Sequence, residues 1–276
     1  MNERISTSPL HLVCRLALLL LFLQAAGLAQ IEVVGELAHR FELLPGNQVT
    51  GEVQIRNSSD SVASATLYLE DVIYDGRQLQ YLPPGEFERS SAGWTTINPP
   101  SVDLAPGETQ EVTFRISVPS DTSLDGTYWT SLIIENAATE EQAVEDQQFG
   151  IRAITRYQVM LAVQLPTADP VPLTFNDPGL HRGEEEQTYL FTVAIGNPGD
   201  ALYRVATYVE VYDPNGTPIT TVEGQERSIY PGAMVDQVFE LGELEDGIYS
   251  VLVVADGGAL GAYGARYNLE VSANQE

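Results

Sequence analysis

The residues that could do covalent chemistry are few and badly placed for it. The three His are His11, His39 and His181, and the single Cys is Cys14. A zinc site built from several His or Cys is therefore out of reach. No G-x-S-x-G turn supports a nucleophilic serine, and no Walker-type or dinucleotide fingerprint is present. Residues 257–261, GGALG, are glycine-rich but lie between expected strands, with no helix to offer its N-terminus to a phosphate. Glu184, Glu185 and Glu186 could bind Ca²⁺, but nothing in the chain has EF-hand spacing, and Asp213-Pro214-Asn215-Gly216 is explained as a hairpin turn without a metal. No enzyme, metal or cofactor is expected. What remains is the chemistry of binding. Guanidinium groups suit carboxylates, and Arg40, Arg152 and Arg156 are candidates. Phe149, Ile151 and Tyr157 are large apolar residues at alternate positions in the same stretch as two of those arginines.

That stretch is a strand. In residues 149–165, Phe149, Ile151, Tyr157, Val159, Leu161, Val163 and Leu165 share one parity, with Ala153 and Thr155 the small exceptions. Arg152, Arg156, Gln158 and Gln164 fall on the other. Period two marks a β-strand with one buried face. An acidic loop over 135–148 precedes it, and Pro166, Pro170 and Pro172 follow as a stiff joint. The strand thus closes a first unit and hands the chain to a second.

The remaining sequence supports this division. Residues 1–29 have the form of a cleavable export signal: Arg4 and Arg15, an apolar run over 16–23, and Gly27-Leu28-Ala29 before Gln30. No stable membrane span is expected after it. The formal net charge is −26, and all 13 basic residues are Arg. This argues against nucleic acid and anionic membranes as partners. Alternating segments are expected as strands at 31–34, 41–44, 49–57, 63–73, 109–118 and 127–135, with 81–101 irregular around Pro83, Pro84, Pro99 and Pro100. In the second half, strands are expected at 173–175, 188–196, 203–212, 218–222, 235–241, 248–254 and 262–271. No segment carries helical periodicity.

The halves share landmarks in the same order: Asn57 and Asn197 at strand ends, Pro106-Gly107 and Pro231-Gly232, and Asp125-Gly126-Thr127-Tyr128 and Asp246-Gly247-Ile248-Tyr249. The expected fold is all-β, two tandem immunoglobulin-like β-sandwich domains over 30–166 and 167–276 after the signal peptide. Tyr128 and Tyr249 are placed to hydrogen-bond back to the backbone at a corner. Trp94 and Trp129 are core or edge residues, and on a strand Tyr128 and Trp129 point to opposite faces.

The elements Asn57, Trp94 ahead of a Pro pair, and residues 103–135, DLAPGETQEVTFRISVPSDTSLDGTYWTSLIIE, resemble a known family. They look like the N-terminal domain of periplasmic pilus (PapD-like) chaperones, and equally like the Ig-like domains of WxL-interacting surface proteins. The second half resembles a generic bacterial Ig-like domain. The chaperone resemblance implies donor-strand complementation, in which 149–165 lends its alternating side chains and ladder bonds to an incomplete exported subunit. It also implies a cationic anchor for the subunit's terminal carboxylate. Arg40 lies close to the family's first-strand position; the family's Lys falls near Leu161, and Arg152 and Arg156 are the nearby cations. The expected partner is another exported protein, a pilus-like or surface subunit, acting in the periplasm or outside the cell. The alternative is an adhesion or cell-wall-binding module of the WxL-interacting type.

Overall fold

The computed structural model describes residues 30–137, 154–166, 170–183 and 188–272. Among these, the first half contributes β1 (Ile31–Val34), β2 (Ala38–Glu42), β3 (Gln48–Asn57), β4 (Ala63–Asp75), β5 (Gln78–Leu82), β6 (Thr95–Asn98), β7 (Ser101–Leu104), β8 (Thr109–Ser117), β9 (Thr127–Asn136) and β10 (Arg156–Gln164). The second half contributes β11 (Thr174–Arg182), β12 (Thr188–Gly196), β13 (Tyr203–Tyr212), β14 (Pro218–Glu223), β15 (Arg227–Ile229), β16 (Met234–Glu243), β17 (Gly247–Asp256) and β18 (Ala262–Val271). No helix among the described residues is long and apolar enough to cross a membrane. The export signal lies outside the described residues.

Each half is a pair of sheets. In the first, β1-β3-β8-β6 faces β2-β10-β9-β4-β5, with β7 also paired to β4. In the second, β11-β12-β16 faces β14-β13-β17-β18, with β15 paired to β13. Alternation explains the packing. Val53 and Ile55 of β3, Val112, Phe114 and Ile116 of β8, and Val159, Leu161 and Val163 of β10 all enter one core. The residues between them, such as Glu52, Gln54 and Arg56, are exposed.

The duplicated landmarks do the same work in both halves. The Asn57 side chain donates to the carbonyls of Ser61 (2.7 Å) and Leu104 (2.9 Å) and accepts from the Ser59 N–H. Asn197 donates to Ala201 (2.8 Å) and Ile229 (2.8 Å) and accepts from the Gly199 N–H. The following turns dock identically: the Gly107 N–H donates to the Asn57 carbonyl, and the Gly232 N–H to that of Asn197. Both glycines sit at positive φ, 74° and 78°, which the turn requires. The corner tyrosines diverge. Tyr249 donates to the Glu245 carbonyl at 2.9 Å, as expected. Tyr128 instead lies 4.6 Å from the Trp94 ring, with the Arg89 guanidinium over its face.

Two expectations need correction, and one further strand, β15, was not expected. Residues 81–101 are not irregular throughout: β5 ends there and β6 lies within, because Pro99 and Pro100 mark the turn between β6 and β7, not the whole stretch. β11 runs far beyond 173–175; Pro178 is accommodated by a bulge between Asn176 and Gly179 on an edge strand. β15 had no visible signal, being three residues long.

β9 is buried almost throughout. Tyr128, Leu132 and Ile134 enter the first core, whereas Trp129 belongs to the cluster that also holds Tyr203, Tyr230, Phe239 and Val251 of the second half. The β4–β5 hairpin reaches the same junction. The Gly76 N–H donates to the Gly232 carbonyl (3.0 Å), and the Met234 N–H donates to the Gly76 carbonyl (2.8 Å). Arg77 pairs with Asp177 and Asp236, and Arg89 with Asp200. Thr127 adds a buried contact, its hydroxyl oxygen accepting from the Leu202 N–H at 2.7 Å.

Candidate partner-binding edge

β10 is paired unequally on its two sides. Against β9 it is antiparallel over its full length, from Arg156 opposite Glu135 to Gln164 opposite Thr127. Against β2 it is parallel over only Met160 to Gln164, opposite Ala38 to Glu42. The Met160 N–H donates to the Leu37 carbonyl at 2.8 Å, and the Leu43 N–H to the Gln164 carbonyl at 3.1 Å. Even-numbered residues of β10 therefore turn their backbone groups toward β2. Odd-numbered ones turn toward β9, as the Asn136 N–H donating to the Thr155 carbonyl shows (3.0 Å). Before Met160, β2 has not yet begun. Arg156 and Gln158 thus present N–H and C=O groups to a side that carries no strand among the described residues.

This open stretch is rigidly backed. Tyr157 packs half-buried against the first core and Val159 is fully buried in it. On the other face, Arg156 is clamped by three groups: Glu70 at 2.9 Å, Glu135 at 3.1 Å, and the Tyr68 hydroxyl at 2.6 Å. Burial works against the Arg156 charge, but Glu70 and Tyr68 outweigh it and hold the guanidinium above its usual value. Burial, together with the hydrogen bond to Glu135, pushes the Tyr68 phenol up. Because Arg156 is 41% exposed, the clamp adds little stability. Arg156→Gln is expected to cost about 0.5–1 kcal/mol in urea unfolding, less at high salt. A loss that does not shrink with salt would contradict an ionic clamp.

Arg40 lies elsewhere. It sits on β2 opposite Ala162, exposed, on the wall of a cleft between the halves that Glu42, Arg204 and Leu260 also line. It makes no salt bridge among the described residues. Ala162 is six residues from Arg156, so about 20 Å separates the two arginine positions along the strand. Leu161, at the family's Lys position, is fully buried in the first core. Arg40 and Arg156 therefore cannot grip one carboxylate together. Phe149, Ile151 and Arg152 lie outside the described residues, as do Glu184, Glu185 and Glu186. Among the described residues no three His, Cys, Asp or Glu side chains gather as metal ligands.

Sequence reasoning missed two neighbours of the edge. Tyr81 of β5 donates its hydroxyl to the Gln158 amide oxygen at 3.0 Å, although β4 and β9 lie between their strands in the sheet order. The hairpin therefore curls over the outer face of the sheet. Leu37, whose carbonyl takes the Met160 N–H, is 48% exposed just before β2 begins. Neither has a motif; Tyr81 opened the stretch read as irregular.

No family model matches the chain, and no curated protein matches it. Solved structures do. The YadV chaperone aligns with 87% of this chain and 100% of its own, at 12% identity and a TM-score of 0.41. The class 5 fimbriae chaperone CfaA aligns over 86% and 98%, at 12% identity and a TM-score of 0.43. The complex of CsuC with CsuE from Acinetobacter baumannii, a chaperone–tip subunit pre-assembly complex of chaperone-usher pili, aligns over 86% and 98%, at 12% identity and 0.42. These are chaperones of the kind the first half of the sequence resembles. The likeness is one of fold, PapD-like, and at such identities and scores it carries nothing about function.

Proposed function

We propose that this chain is an exported, non-enzymatic protein-binding protein that takes a strand of its partner onto the open edge of β10. The observation that carries the reading is the half-paired strand: Arg156 and Gln158 offer four backbone groups in ladder geometry, next to Leu37 and Tyr81, with no covering strand among the described residues. An edge of this kind is a template for another chain. Main-chain bonds supply affinity, and the side chains on either face supply selectivity. Tyr157 and Ile154 contribute apolar surface at the start of the edge; Ile154 is 50% exposed. Phe149, Ile151 and Arg152 precede it in sequence and extend the proposed partner surface. Arg40, exposed in the cleft opposite Ala162 of β10, is the proposed anchor for an acidic group of the same partner. The fitting partner is another exported protein with an unpaired strand, a pilus-like or surface subunit. The sequence form of residues 1–29 supports export.

The test is Gln158→Pro. Proline removes an N–H that points to the open side and leaves the β9 ladder intact, a position where edge strands tolerate it. The tagged mature protein is captured from its own host with its bound protein, and amide exchange is measured on the complex. Protection of Arg156 and Gln158 in the wild type, and at least tenfold weaker capture by a Gln158→Pro protein of unchanged melting temperature, are expected. Unprotected amides, or undiminished capture by that variant, overturn the reading.

A further inference from the structure

Among the described residues, the strands that end a sheet are guarded, with one exception. β1, β6 and β7 are four residues long, and β2 and β5 are five. β11 carries Pro178 and a break in register, β14 carries Pro218 and another, and β16 meets β12 with a third. Short strands, prolines and bulges keep an edge from recruiting a further strand. β18 has none of these. It runs ten residues, Ala262 to Val271, against β17 without a shift. No charge points inward along it: Tyr263, Ala265, Tyr267, Leu269 and Val271 occupy that face.

The far side of β18 is open. The Gly257 N–H donates to the Gly261 carbonyl at 2.9 Å, one pair beyond Asp256 opposite Ala262. Bonded and non-bonded pairs alternate along an antiparallel ladder. Odd-numbered residues of β18 therefore bond to β17. The backbone groups of Gly264, Arg266, Asn268 and Glu270 point away from it, where no strand pairs among the described residues. The facing sheet reaches β18 through side chains. The Tyr267 hydroxyl donates to the Phe175 carbonyl at 3.3 Å, and Arg182 donates to the Ser272 carbonyl at 3.2 Å.

The charges of β18 indicate what fits there. Arg266 and Glu270 are exposed on its outer face. Neither makes a salt bridge among the described residues, and the Arg266 guanidinium lies over the Tyr212 ring. When a strand pairs antiparallel with its own copy, the residue at the centre fixes every other pair. A pair centred on Arg266 opposes like charges. Only a pair centred on Asn268 sets Arg266 opposite Glu270, and symmetry makes that contact twice. The same register sets Tyr267 beside Leu269 of the second copy, also twice. Opposite charges and apolar side chains facing each other across strands both stabilise a sheet.

We propose that the chain self-associates through β18, pairing antiparallel with β18 of a second copy about Asn268, so that the two second-half sheets become one continuous sheet. This contact is independent of the β10 edge.

Sedimentation of the full mature chain over a concentration series tests this. It is run at physiological salt, where charges more than about 8 Å apart are largely screened and the general repulsion between acidic copies is small. A reversible monomer–dimer equilibrium is expected. Asn268→Pro removes an outward N–H and leaves the β17 ladder intact, so it is expected to abolish the dimer at unchanged melting temperature. Arg266→Glu and Glu270→Arg are each expected to weaken it by about tenfold, and the double charge swap to restore it. Asn268→Cys is expected to cross-link the dimer under mild oxidation, since Cα atoms of a bonded pair lie about 5.5 Å apart. Ala262→Cys, its copies about 40 Å apart in this register, is expected not to. Gln158→Pro is expected to leave the dimer unchanged, which separates this contact from the β10 edge. A chain that stays monomeric, or a dimer that survives Asn268→Pro, overturns the proposal. A double swap that fails to restore the dimer, or a cross-link at Ala262 and none at Asn268, overturns its register.

Discussion

Trp129→Ala is expected to lower the stability of the chain by about 4 kcal/mol or more, and its melting temperature by on the order of 10 °C. The indole is 2% exposed and packs against Phe87 at 4.9 Å and Tyr230 at 5.4 Å. Its N–H donates to the Val72 carbonyl at 2.6 Å. The variant loses the packing of the largest side chain at the junction, opens a cavity, and leaves that carbonyl without its donor. The last term alone is worth about 1–3 kcal/mol when the group stays dry. Trp129→Phe separates the two: it keeps most of the packing and loses the hydrogen bond, so about half of the destabilisation is expected. Urea unfolding of all three proteins decides it. A loss under 1 kcal/mol for Trp129→Ala would mean that the indole is not part of a shared core.

The second large effect belongs to the duplicated asparagines. Each is buried and ties a strand end to two other segments, Asn57 through four side-chain hydrogen bonds and Asn197 through three. Asn57→Ala leaves the Leu104 carbonyl without this partner, and Asn197→Ala does the same to Ile229. Each is expected to cost about 2–4 kcal/mol. The sites share no partner, so the double variant should show the sum within about 0.5 kcal/mol. Asn→Asp at either position tests the cause, since a carboxylate retains the shape and the acceptor but not the two donors. If Asn→Asp is as stable as the wild type, the donors do not matter.

These asparagines also show why much of the fold was legible. A strand ending in Asn and a later Pro-Gly turn recur in each half because the same bonds are made there, whereas the recurring Asp-Gly-x-Tyr makes its corner bond only at Tyr249. β10 was legible for a similar reason: a half-buried strand cannot hide its period. Val159, Leu161 and Val163 are buried as their parity required. The opposite fates of Tyr128 and Trp129 followed from parity too, one ring in the first core and one at the junction.

The rest depended on contacts between distant segments. Nothing local says that β2 begins opposite Met160, yet that register creates the open edge and sets Arg40 far from Arg156. Nothing local says that the β4–β5 hairpin bends over the sheet, yet only that bend brings Tyr81 to Gln158, 77 residues away in sequence. A charged residue gives no sign in the sequence of being already engaged, and Arg156 looked as available as Arg40. The signal-like segment, Phe149, Ile151 and Arg152 lie outside the described residues.

The junction has a practical corollary for dissection of the chain. The sheets divide cleanly near residue 166, and a boundary there invites expression of the halves. That cut is topological, not thermodynamic. Trp129, Met160 and Ala162 pack into a cluster whose other members come mainly from the second half, and Gly76 pairs backbone with the Pro231-Gly232 turn. An isolated first half would carry a raw apolar face and unpaired amide groups at its base. Limited proteolysis should then find few cleavable intermediates, because the halves open together rather than one at a time.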